Sequence, residues 1–169
     1  MRPPLTFFVA GLPVAQPRAR AARRGRFITI YDPDSADDWK MIVRNEAKNA
    51  WTDYPNQWLG PLCVNLTFFF PRPKGHFNSK GALKPNAPLW HTSKPDRDNS
   101  DKAILDALTN LGLWGDDKQV CDGRIKKLYA PADGRCGCQV EIREANVEAS
   151  APPTCGVAST ECATGGSLR

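Results

Sequence analysis

Nine residues near the middle of the chain limit its fold more than any other segment. Leu62, Val64, Leu66, Phe68 and Phe70 alternate with Cys63, Asn65, Thr67 and Phe69, and Pro71 ends the run. A period of two sends alternate side chains to opposite faces, so this segment predicts a strand with one strongly buried face. A helical period appears on either side of it. Trp39, Ile42, Val43, Ala47, Ala50 and Trp51 recur at helix spacing, with Asp34 or Ser35 as the expected cap. Asp37 and Asp38 suit the positive end of that helix dipole. A second helix is expected from about Asn99 to Leu111, with Ile104, Leu105, Leu108 and Leu111 inside and Gly112 as its stop.

Shorter strands complete the pattern. Residues 5–10 read as a strand ended by Gly11 and Pro13, and 27–31 as another. These two are expected to pair as an irregular hairpin around an arginine-rich loop. Val120 to Ala130 and Cys136 to Arg143 read as a closing hairpin turned at Asp133 and Gly134. Residues 71–95 carry five prolines and form a long loop, a length that compact domains keep for function or leave disordered. From about Ala145 the chain turns rich in Ala, Ser, Thr, Gly and Pro, which predicts one domain over 1–144 and a disordered tail over 145–169.

No apolar run nears the roughly 18 to 20 residues that cross a bilayer, and Pro13 and Gln16 interrupt any secretory leader. A cytoplasmic location with reduced thiols is the expectation. The six cysteines and two histidines lack zinc-type spacing, and no glycine-rich nucleotide motif occurs, so no nucleotide cofactor is expected. The formal charge is +5, and its distribution says more than its size. Arg18, Arg20, Arg23, Arg24 and Arg26 form one acid-free cluster, and Lys74, Lys80, Lys84 and Lys94 form another. Either could neutralise DNA phosphates, or simply be a solvated loop.

The chemistry concentrates between Lys94 and Val120. Asp96 and Asp98 stand two apart in a segment entering a helix, so their carboxylates project to one side. Pro95 favours an extended Lys94, and Asp98 or Asn99 can cap the helix. Lys102, four residues after Asp98, shares that face. Asp116 and Asp117 follow the helix, which travels roughly 18 to 20 Å. The loop after it must fold back before these acids can approach the first pair. Three carboxylates at one point require raised pKa values or a hard cation, and oxygen donors suit Mg²⁺. Such an ion polarises a phosphoryl oxygen and activates water, while Lys102 could stabilise charge on phosphorus. The plain alternatives are a turn with a cap at Asp96 and Asp98, and an exposed turn at Asp116 and Asp117. Asp101 and Asp106 read as solvated helix positions or partners of Lys102.

This ordered set (Lys94, Pro95, Asp96, Asp98, Asn99, Lys102, then Leu105 to Thr109, Gly112, Trp114, Asp116, Asp117, Gln119 and Val120) resembles the signature of the RusA family of Holliday-junction resolvases. Pro13 to Arg20 is similar to that family's basic N-terminal segment, and Phe68 to Lys74 to the end of its central strand. The resemblance implies an α+β fold, a small mixed sheet with two main helices packed on it. It implies a homodimeric endonuclease dependent on Mg²⁺ or Mn²⁺ that makes paired symmetric nicks in four-way junction DNA. Asp96, Asp98 and Asp117 match the family's essential acids, Lys102 its important lysine, and Asp116 the less certain acid. Arg18, Arg20 and Lys74 match positions expected to contact DNA, and Arg23, Arg24 and Lys94 extend that set. Two other functions fit the same residues: a metal nuclease for forks or flaps, and a DNA-binding module that does not cut.

Overall fold

The computed structural model describes residues 2–16, 36–145 and, as backbone only, 20–24 and 27–31. The expected tail, apart from Ala145, lies outside the described residues, as do Asp34 and Ser35; the N-cap of the first helix is neither of these but Ala36, which makes no side-chain capping bond.

Strand β4 (Leu62–Phe70) forms as its alternation predicts, and it is the middle of the sheet. On one edge it meets β7 (Gly137–Glu144) antiparallel, in a register running from Leu62 opposite Glu144 to Phe69 opposite Gly137. Strand β1 (Leu5–Ala10) continues that side, with Leu5 opposite Ile142 and Ala10 opposite Gly137. On the other edge β5 (Val120–Asp122) and β6 (Ile125–Tyr129) pair with β4 in succession, both parallel to it. A parallel neighbour requires a crossover, and α2 (Arg97–Leu111) provides it.

Helix α1 (Asp37–Ala50) packs against β1 and α2, and both helices cover the same sheet face. Leu62, Val64, Leu66, Phe68 and Phe70 meet Trp39, Val43, Ala103, Ile104, Ala107 and Leu108 there, in one apolar core. Asn65, Thr67 and Phe69 face away from the helices and stay partly open to solvent. Cys63 shares that outward phase, yet β5 covers it to 1 % exposure.

Two expected pairings are not made. β1 does not join residues 27–31. Its Leu5, Phe7 and Val9 are buried in the core that the central sheet shares with the helices. The arginine-rich stretch is itself a strand, β2 (Arg20–Arg24), which pairs antiparallel with β3 (Phe27–Tyr31) in a separate two-stranded sheet. Nor do β6 and β7 form a hairpin. The Asp133 and Gly134 turn exists, with the Gly134 N–H donating to Pro131 O at 3.0 Å. Its two strands instead take opposite edges of β4, the strand with the most apolar surface to cover.

Helix α2 begins two residues earlier than expected. Asp96 is its N-cap, and neither Asp98 nor Asn99 has that place. It stops at Gly112, whose φ of 79° is the left-handed turn that favours glycine. No helix among the described residues is long and apolar enough to cross a membrane. The four described cysteines are free.

One glycine closes the sheet. Gly123 joins β5 to β6 at a φ of +148°, and a Cβ there would lie 1.9 Å from Val64 O. Neither conformation nor space admits a side chain. Gly123→Ala is expected to destabilise the fold by about 3 kcal/mol or more, read as a lower urea midpoint with an unchanged slope.

Candidate active site

Asp96 and Asp98 stand exposed at the start of α2. The Asp96 carbonyl receives both the Ser100 N–H, at 3.1 Å, and the Ser100 hydroxyl, at 3.0 Å. Its carboxylate makes no capping bond, so the side chain is not tied to closing the helix. Both acids lie where the helix dipole favours negative charge. Arg97 and Asn99 accompany them, and the Gln16 N–H donates to Asn99 O at 2.9 Å. The chain therefore passes this helix end two residues before Arg18, which lies outside the described residues. Arg20, Arg23 and Arg24 belong to β2, and their side chains also lie outside them.

Lys127 fixes the approach to this end, and the sequence did not single it out. Its ammonium donates to Ser93 O at 2.7 Å and, over a shorter distance, to Pro95 O. It also sits 5.7 Å from the centre of the Phe70 ring. The alternation of Ile125, Lys127 and Tyr129 against exposed Lys126 is the one sequence signal that could have found it.

Lys102 is one turn beyond Asp98, exposed, with its ammonium 3.4 Å from Asp106. Asp106 does more than the sequence predicts. It also pairs at 3.5 Å with Lys40 of α1, a lysine whose side chain is only 11 % exposed. Asp101 is half-buried instead of solvated. Loss of water pushes its carboxyl pKa up, and nearby Arg97 pulls the other way. It borders a cleft of about 310 Å³ with Val64, Val120, Asp122 and Gly123.

The second acidic pair divides its work. Asp116 caps the short 3-10 turn Asp117–Gln119, accepting the Lys118 N–H at 2.9 Å. The Gln119 side chain returns to accept from the Asp116 N–H at 3.3 Å, completing a capping box, and from the Gly115 N–H at 2.9 Å. The Lys118 backbone N–H is the main reason that the Asp116 carboxyl sits below its usual pKa. Asp117 is exposed.

The chain does not return before Asp117. Leu113 and Trp114, which follow the helix stop, are both buried beneath it, and Trp114 donates to Thr109 Oγ1 at 2.7 Å. Gln119 then anchors to Trp58 O and Gly60 O, and Trp58 N–H to Leu113 O. Asp117 thus belongs to the C-terminal end of α2. A helix of 15 residues separates the two ends by about 22 Å. Among the described residues no three His, Cys, Asp or Glu side chains are grouped to hold a metal ion. Lys74 and Lys94 are exposed in the segment before α2.

Over residues 10–143 the sequence matches the family of endodeoxyribonuclease RusA. The chain belongs to this RusA family. Among its relatives is the uncharacterized protein YqaN of Bacillus subtilis, 34% identical over 135 residues, covering 75% of this chain and 88% of that protein. The crossover junction endodeoxyribonuclease RusA of Escherichia coli K12 is 50% identical over 40 residues, 24% of this chain and 33% of that protein. The RusA of Enterobacteria phage 82 matches to the same extent. The 50% identity to these RusA enzymes is thus confined to a short segment, while the family match takes in both helices and the sheet apart from most of β1 and the last residue of β7.

Two expected outcomes test the electrostatics around α2. Asp106→Asn should cost about 1 to 2 kcal/mol, because Lys40 would keep its charge in a mostly dry site without a counter-ion. A thermal melt measures this. Asp101 has a raised pKa, so its favourable share of stability is present below the ordinary carboxylate range and lost as pH rises through the raised value. Asp101→Asn should therefore melt higher than the parent at pH 7, and the difference should close near pH 3.

Proposed function

We propose that this chain is a divalent-metal-dependent endonuclease that resolves Holliday junctions by paired nicks. The family match over residues 10–143 carries the reading. The shared segment with enzymes named crossover junction endodeoxyribonucleases supports junction DNA as the substrate.

Asp96, Asp98 and Asp117 offer only oxygen donors, which suits Mg²⁺ or Mn²⁺. The bound ion would polarise the scissile phosphate and lower the pKa of the attacking water. Asp96 and Asp98 would hold it from the start of α2. The N–H groups of that helix end would offset part of the crowding of negative charge. Lys102 would turn from Asp106 toward the phosphate and stabilise charge on its oxygens. Asp116, occupied by its capping box, would support the position of Asp117 and not bind the ion itself.

Within one chain Asp117 is about a helix length from the other two acids. A homodimer removes the difficulty if each site takes Asp96 and Asp98 from one copy and Asp117 from the other. Two such sites related by a two-fold axis match two symmetric cuts. Arg18, Arg20, Arg23, Arg24, Lys74 and Lys94 would neutralise phosphates of the junction arms.

Asp98→Asn should reduce cleavage of a synthetic four-way junction by a thousandfold or so, while binding is retained or tightened. Mixing Asp98→Asn with Asp117→Asn protein separates the two arrangements. A site shared between copies leaves one intact site in each mixed dimer, so single nicks return. A site built within one chain leaves every site defective, and the mixture stays inactive. Cleavage of linear duplex as fast as of the junction would overturn the substrate, and cutting undiminished by Asp98→Asn would overturn the mechanism.

A further inference from the structure

The stretch from Pro71 to Pro95 contains no Asp or Glu but includes Arg72, Lys74, Lys80, Lys84 and Lys94. It is held closely. Arg72 donates through Nε to Ala130 O at 2.6 Å and through Nη1 to Pro88 O at 2.8 Å. Lys84 donates to Gly75 O at 2.9 Å. The end of the stretch runs along the outer edge of β6, with Tyr129 N–H donating to Leu89 O at 2.9 Å and His91 N–H to Lys127 O at 3.0 Å. The His91 ring stacks on Phe70, with centroids 4.2 Å apart, and meets the Tyr129 ring at 4.9 Å.

Trp90 does the opposite of its neighbour. The His91 ring turns inward onto Phe70, whereas Trp90 stays in solvent. It is 55% exposed, as is Leu89, whereas Trp39, Trp51, Trp58 and Trp114 are all at most 4% exposed. The backbone under it has no slack. Lys127 grips His91 with its carbonyl and Pro95 with its ammonium, so one residue ties Trp90 to the start of α2. Trp90 and Asp96 are six positions apart, which caps the distance between their backbones at about 20 Å.

We propose that Trp90 stacks on a DNA base left unstacked at the branch point and so positions the neighbouring phosphate at Asp96 and Asp98. The inference rests on the nuclease reading above. Duplex DNA hides the faces of its bases, whereas a branch exposes them, and an aromatic ring recognises an exposed face without regard to sequence. The surrounding charge selects this partner. The stretch holds no acid, and its exposed Lys74, Lys80 and Lys94 attract phosphates. Trp90 is a positioning residue that holds the substrate and takes no part in the chemistry.

The test uses four-way junctions carrying 2-aminopurine at the branch, with the full chain and its Trp90→Ala and Trp90→Phe variants. On Asp98→Asn protein, which holds the junction uncut, Trp90 should change the 2-aminopurine emission. Trp90→Ala should abolish that change and slow junction cleavage about fivefold or more at saturating DNA. Trp90→Phe should restore most of both, which a purely structural role for an exposed ring would not require. If the parent cuts junctions and Trp90→Ala alters neither emission nor rate, the inference is wrong and the nuclease reading stands. If Trp90→Ala instead lowers the sedimenting mass of the free protein, a second copy covers this ring and the inference is again wrong. If the parent neither binds nor cuts junctions, both readings fall together.

Discussion

The arrangement depends on β4 having neighbours on both edges, one antiparallel and one side parallel. Parallel pairing with β5 and β6 cannot be reached by a tight turn, so the chain must cross the sheet between them. α2 is that crossing, and it necessarily runs opposite to β4. Its first residues stand near the Phe70 end of the strand and its last near the Leu62 end. The distance between Asp96 and Asp117 follows from strand polarity, not from the details of any loop. The same polarity lays β6 beside the entry to α2, where Lys127 can reach Pro95.

Much of this could be read in the sequence, for reasons that differ by element. β4 and α1 were legible because their apolar residues repeat with a single period, and both sit against the core as that period requires. The stop of α2 at Gly112 was legible because only glycine takes the left-handed turn easily. Strand partners were not. Adjacency in sequence suggested two hairpins, but pairing follows apolar surface, and β1, β6 and β7 all gather around β4. The start of α2 was missed because Asp96, Asp98 and Asn99 are equally good caps, so composition there carries no preference.

At the candidate site the sequence located the acids but not their surroundings. Asp116 and Asp117 are identical in type and adjacent, yet one is bound into a turn by Lys118 and Gln119 while the other is exposed. Asp106 looked like a local partner of Lys102, but it also neutralises Lys40 across the interface between the helices. That contact joins residues 66 positions apart, and no local spacing could signal it. Asp101, which shares a cleft with residues of β4, β5 and β6, is half-buried for a reason equally invisible to local spacing.

Arg72 and Lys127 have a consequence for anyone who maps the DNA footprint by charge removal. Both are cations in the region expected to face phosphates, yet their donors go to the protein's own carbonyls. They act as rivets. Replacing either with alanine would loosen the panel that they fasten, and a weakened complex would then report lost shape, not a lost phosphate contact. Lys74, Lys80 and Lys94, which stand in solvent, are the residues on which such a scan can be interpreted directly.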